Sequence, residues 1–429
     1  MTLAAYEKYP SYKDSGIEFI GDVPSDWNVE PGRQCVRENR DKNTGMKENT
    51  VLSLSYGQVI VKDEDKLTGL VPESFETYQI VKQGDIIIRG MDLQNDVTSL
   101  RTGRAKDQGI ISSAYINLRP LAGIDPIFLH YLLHSYDEKK VFYSLGSGLR
   151  QNLSYLDFKY LRLPVPAPEE QRAIASFLDK KCEKIGEAVR IKEAQIALLR
   201  ERRQILIQEA VTRGLNPYTP MKDSGIDWIG QIPAHWDIRR NFVLFREMKV
   251  SGSVDLPVLS VSIHSGVSSE ELSDEDNIRS IIKIADRTSY KEVLKGDIAY
   301  NMMRAWQGGI GAVSVHGMVS PAYVVARPTD NFLADFFELM YRSPLFIKQM
   351  DSGSKGITDF RKRLYWDDFR DLLTILPPIS EQNEIVAHVE MQSAKIETAV
   401  TLKQDQITAL KEYKTSLINA AVTGKIKVI

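Results

Sequence analysis

The chain is written twice, and this repeat constrains its fold more than any other feature. Lys13-Asp14-Ser15-Gly16-Ile17-Glu18-Phe19-Ile20-Gly21 returns as Lys222-Asp223-Ser224-Gly225-Ile226-Asp227-Trp228-Ile229-Gly230, an offset of 209. Pro24 and Trp27 recur as Pro233 and Trp236. Further along, Gly84-Asp85-Ile86 matches Gly296-Asp297-Ile298, Ala114-Tyr115 matches Ala322-Tyr323, and Arg119-Pro120 matches Arg327-Pro328. Near the end of each copy, Arg150, Leu153, Asp157, Phe158, Glu170 and Gln171 answer to Arg361, Leu364, Asp368, Phe369, Glu381 and Gln382, at an offset of 211. A chain of 429 residues outgrows one hydrophobic core. The repeat therefore predicts a domain followed by a long helix, then the same again.

The helices are predicted by what they lack. Glu169 to Val211 contains no proline and one glycine, Gly186, while Glu381 to Val422 contains neither breaker. Apolar residues recur every seventh position at Leu178, Ile185, Leu199 and Leu206, with Val189, Ile196 and Ala210 on the adjoining stripe. Val389, Ile396, Leu410 and Leu417, with Val400, Ile407 and Ala421, repeat that register. Even the polar interruptions coincide, Lys192 with Lys403 and Arg203 with Lys414. A polar residue in a coiled-coil seam fixes register at some cost in stability. Shared interruptions thus predict that the two helices pair antiparallel over about 60 Å at 1.5 Å per residue. The bland alternative is that each stripe packs on its own globule.

The globules read as mixed. Val51 to Tyr56 and Ile80 to Arg89 carry strand-like β-branched or alternating content between turns, whereas Asp125-Pro126 opens a helix continuing to Tyr136. Gly214, Pro217 and Pro220 form the linker between copies. The expected fold is α+β: two mixed α/β domains, residues 1–168 and 213–379, with long helices at 169–212 and 380–424 forming an antiparallel coiled coil with pseudo-two-fold symmetry.

Chemistry is hard to find. Cys35 and Cys182 are the only cysteines, and six scattered histidines give no zinc spacing, so no metal site is expected. His130 and His134 lie one helical turn apart without an evident third ligand. Gly146-Ser147-Gly148 lacks the rest of a phosphate-binding loop, and no Walker-type motif occurs. Asn216-Pro217-Tyr218 lacks the second proline of an amino-methyltransferase motif. No apolar run is long enough to cross a membrane, and Met1 to Pro10 does not read as a signal peptide, so the cytoplasm is the expected compartment. The net charge of −2 counts against DNA binding unless cations gather on particular faces.

The doubled Lys-Asp-Ser-Gly-Ile opening with its Pro and Trp, Leu163-Pro164 to Gln171 before the first long helix, and Leu376-Pro377-Pro378-Ile379-Ser380-Glu381-Gln382 before the second together resemble type I restriction-modification specificity subunits. The resemblance spans essentially the whole chain. It implies two target-recognition domains, each reading one half of a bipartite site in double-stranded DNA, and helices that dock two methyltransferase subunits. Restriction subunits would join that core. The chain itself would hold no cofactor, S-adenosylmethionine belonging to the methyltransferase, and would perform no catalysis. The competing reading is a stand-alone two-domain DNA-binding regulator, marked by tight binding without a partner.

The repeat also sorts the residues. What both copies share should serve folding and docking, which assigns Trp27 and Trp236 to scaffold; what differs should read different bases. The expected DNA-contacting residues are Arg89, Gln94, Asn95, Arg101, Arg104 and Lys106 in the first copy and Arg304, Gln307 and Lys355 in the second. Arg, Gln and Asn can make paired hydrogen bonds to guanine or adenine edges. Arg150, Gln151 and Asn152, with Arg361, Lys362 and Arg363, complete the set, the shared arginine being expected on a phosphate.

Overall fold

The computed structural model describes residues 6–63, 74–93, 100–145, 152–270, 287–356 and 361–428. It divides into two compact units: residues 1–192 with 404–429, and residues 193–403. Each long helix contributes to both: Pro168–Arg213 replaces the expected Glu169 to Val211, and Ile379–Val422 the expected Glu381 to Val422.

In the first unit, Val36–Glu38 pairs with Ile116–Pro120, which pairs with Ile86–Ile88, which pairs with Thr102–Arg104, all antiparallel. Strand alternation sends Ile86 and Ile88 toward the helix Pro126–Glu138, into a core with Phe128 and Leu132, while Ile87 faces a smaller cluster with Leu52, Val59 and Ile111. Both faces are covered, which explains three consecutive isoleucines. The helix starts where expected, the Asp125 carboxylate accepting from the Ile127 and Phe128 amides at 2.9 Å each. Two turns of the second long helix finish this core. Leu417, Ile418, Ala421 and Val422 are buried within it, Ser135 donates to Asn419 Oδ1 at 2.8 Å, and Lys192 donates to Gln406 Oε1 at 2.6 Å. A fully buried leucine such as Leu417 stabilises by about 2 kcal/mol.

The second unit repeats the order: Phe245–Met248, Tyr323–Pro328, Ile298–Asn301, Ile310–Ala312. Its core is closed by Ala210 and Val211, with Leu206 and Ile207 packed against it. Lys403 donates to Gln195 Oε1 at 2.7 Å, and Arg203 Nε to Ser393 at 3.2 Å.

The shared residues have visible tasks. Asp85 accepts from the Lys82 amide and takes a forked pair of bonds from Arg119; Asp297 does the same with Leu294 and Arg327. Gln171 accepts from the Asp125 amide and donates to the Gly123 and Pro166 carbonyls, fastening the long helix to its domain. Gln382 accepts from Leu333 and donates to Pro377. Trp27 and Trp236 are buried.

Candidate nucleic-acid interface

Two loops meet at one end of each sheet. In the first unit, Ile86–Ile88 and Thr102–Arg104 are neighbouring strands, so residues 89–101 form the connection between them. The Leu153 amide donates to the Gly90 carbonyl at 2.7 Å and the Asp92 amide to Asn152 Oδ1 at 3.0 Å, which joins that connection to the segment preceding the helix Tyr155–Phe158. Gly90 permits the approach, since a Cβ there would collide with the Leu153 carbonyl. The second unit builds the same junction. Leu364 donates to the Met302 carbonyl at 2.9 Å, tying residues 302–309 to the chain that follows Arg361.

This junction unites residues far apart in sequence. Half-buried Arg89 leads out of its strand beside exposed Asn152. Exposed Arg304 donates to Gln307 Oε1 at 2.7 Å. Across the junction, the Lys362 ammonium stands 5.1 Å from the centre of the Trp306 ring and 2.7 Å from Asp351. Lys355 pairs with Asp368 at 2.7 Å, and its backbone exchanges two 2.9 Å hydrogen bonds with Arg363. Arg361 is exposed on the same segment. Trp306 was not among the expected residues, although an aromatic in a stretch that differs between copies is a usable signal. Gln94, Asn95, Arg150 and Gln151, like Gly146 to Gly148, lie outside the described residues.

Three expected contacts are placed elsewhere. Arg101 is fully buried, its guanidinium donating to the Met91 and Asp92 carbonyls and to the Tyr143 hydroxyl. It is withdrawn from the set of readers, because it is spent on holding the loop. Arg104 and Lys106 sit at the other end of the strand, where they line a cavity with His130 and His134. Among the described residues, no group of three or more His, Cys, Asp or Glu side chains could hold a metal ion, and no helix is long and apolar enough to cross a membrane.

No family model matches the chain. A Methanocaldococcus jannaschii protein, named provisionally as the type I restriction enzyme MjaX specificity subunit, is 22% identical over 428 residues, covering 95% of this chain and 96% of the relative. The type I restriction enzyme EcoKI specificity subunit of Escherichia coli K12 is 23% identical over 336 residues, covering 72% of this chain and 67% of the relative. Over most of its length the chain is similar to type I specificity subunits. Their fold is shared as well. The HsdS subunit from Thermoanaerobacter tengcongensis matches with a TM-score of 0.53 at 16% identity, over 94% of this chain and 98% of that one. A chain from the type I restriction-modification system, solved to describe complex assembly and conformational transition, matches at 0.63 with 16% identity, over 94% and 99%.

Proposed function

We propose that this specificity subunit binds double-stranded DNA through two loop junctions, one per unit, each reading one half of a bipartite sequence, without catalysing any reaction itself. The observation that carries the reading is the junction's recurrence: one framework of hydrogen bonds, Leu153 to Gly90 and Leu364 to Met302, presents different polar residues in the two copies. Arg304 and Gln307 offer the paired donors and acceptors that base edges match, while Arg361 and Lys362 suit phosphates. Arg89 and Asn152 serve in the first unit; Gln94, Asn95, Arg150 and Gln151, outside the described residues, are proposed as contacts from the sequence alone.

The long helices pair as an antiparallel coiled coil between the reading domains, residues 1–168 and 213–379. Supporting this, the bonds Lys192 to Gln406 and Lys403 to Gln195 exchange equivalent partners at the offset of 211. Leu198 and Ile205, seven residues apart and 63% and 50% exposed, leave apolar surface for a methyltransferase subunit. Two such subunits bind, supply S-adenosylmethionine and flip the target base, and restriction subunits join them.

The test is a methylome. Cells expressing the chain with its methyltransferase should carry one asymmetric bipartite mark, and Arg304→Ala with Gln307→Ala should relax only one half of it. Methyl transfer to DNA by the purified chain alone would refute the reading, as would a double variant that alters both halves equally.

A further inference from the structure

The cavity that captures Arg104 and Lys106 has a counterpart in the second unit, and the comparison shows what the first lacks. In the first unit a half-open cavity of about 450 Å³ is lined by the hairpin at Tyr56 to Val59, the helix Pro126–Glu138 and the two long helices. In the second, a half-open cavity of about 700 Å³ is lined by the corresponding elements. Sheet register makes Arg104 equivalent to Ala312, since they pair with Ile86 and Ile298. At the same offset of 208, His130 and His134 answer to Glu338 and Arg342.

The second unit satisfies its own charges. Glu338 accepts from the Ala312 amide at 2.8 Å and from Arg342 at 2.7 Å, and Asp335, Glu390 and Glu397 also line the space beside Arg200, Arg203 and Arg342. In the first unit a histidine replaces the glutamate and an arginine replaces the alanine. Arg104, Lys106 and Lys414 line the cavity with His130 and His134, against the single carboxylate of Asp179, which already accepts from Tyr131 at 2.8 Å. Glu138 stands 4.0 Å from His134 without lining the cavity. His130 Nε2 and Arg104 Nε are both buried without a hydrogen-bond partner. Burying such groups unpaired costs stability unless something returns the bond.

We infer that the first unit's cavity is an anion site that takes a phosphate group, in the place that Glu338 fills in the second unit. Arg104 and His130 donate to it, and Lys106 and Lys414 balance its charge. Burial, with His134, Arg104 and Lys106 nearby, drives the His130 pKa down to about 3. The phosphate comes either from a free phosphorylated compound or from a DNA backbone; the second source rests on the proposed function, the first does not.

The test titrates inorganic phosphate into the full-length chain by calorimetry at constant ionic strength. One saturable site is expected, and His130→Glu, which supplies internally the carboxylate of the other copy, should weaken it by about tenfold or more, as should Arg104→Ala. Thermal melting of His130→Glu without phosphate controls for folding and should be no lower than that of the parent. Binding of a non-specific duplex separates the sources. A backbone phosphate predicts that His130→Glu weakens duplex binding and that inorganic phosphate competes with it; a free compound predicts no change in either. Absence of phosphate binding, or binding that neither substitution weakens, overturns the site.

Discussion

Asp137 gives the sharpest test of how the first reading loop is held. Its carboxylate is fully buried, and one oxygen accepts from the Arg101 amide, the Thr102 amide at 3.0 Å and the Thr102 hydroxyl at 3.2 Å, while the other has no partner. Burial outweighs those bonds and raises its pKa from 3.8 to about 6. The folded state therefore holds the proton more tightly than the unfolded chain does. Stability from this group is complete below pH 3.8 and is lost as pH rises through about 6. Over that interval, at about 1.4 kcal/mol per pH unit, the loss comes to about 3 kcal/mol. Asp137→Asn keeps an acceptor for the same donors and cannot ionise. Urea unfolding of parent and variant from pH 4 to pH 7 should show the variant gaining on the parent by about that amount, with most of the gain before pH 6.5. Amide exchange at Arg101 and Thr102 should follow the same curve. A difference independent of pH would refute the argument, because it would mean that the carboxylate is already ionised at pH 4 or that water reaches it.

Gly90→Ala should destabilise the first unit by about 1–3 kcal/mol, measured by urea unfolding, and weaken recognition of one half-site, because the added methyl pushes Leu153 away. Arg361→Ala should lower DNA affinity for all sequences and reduce the slope of log affinity against log salt by about 1; an unchanged slope removes Arg361 from the phosphates. Adding one heptad to each long helix should lengthen the unread spacer by about three base pairs, from about 10 Å of added helix. Methylome sequencing that returns the original spacer would show that the helices do not set it.

Local rules made the helices and their caps legible: Glu169 to Val211 contains no proline and a single glycine, and Asp125-Pro126 is a start signal of two adjacent residues. The repeat was legible because both copies carry the same turns. Burial was not legible. Arg101 and Arg304 look alike in sequence, yet one is walled in by Tyr143 and two carbonyls while the other is exposed. The difference comes from chain brought back beside the loop from some forty residues away. Arg104 lies away from the loop junction for a simpler reason: a strand has two ends, and composition does not say which one faces the loops. The packing of Leu417 and Ile418 beside Phe128 was likewise hidden, since heptad spacing gives a stripe but not all of its neighbours.

The lysine and glutamine bonds along the long helices bear on how such a gene can change. Gln195 and Gln406 are equivalent positions, as are Lys192 and Lys403, and each bond joins a lysine of one copy to a glutamine of the other. A gene truncated after its first copy would encode helices that meet as Lys192 to Gln195 between two identical chains, with Leu206, Ile207, Ala210 and Val211 standing where Leu417, Ile418, Ala421 and Val422 stand now. Recombination could thus delete, duplicate or exchange half of the reading frame without redesigning the seam. Under the proposed function, a shortened product would ask for a palindrome, and a hybrid product for a new pair of half-sites.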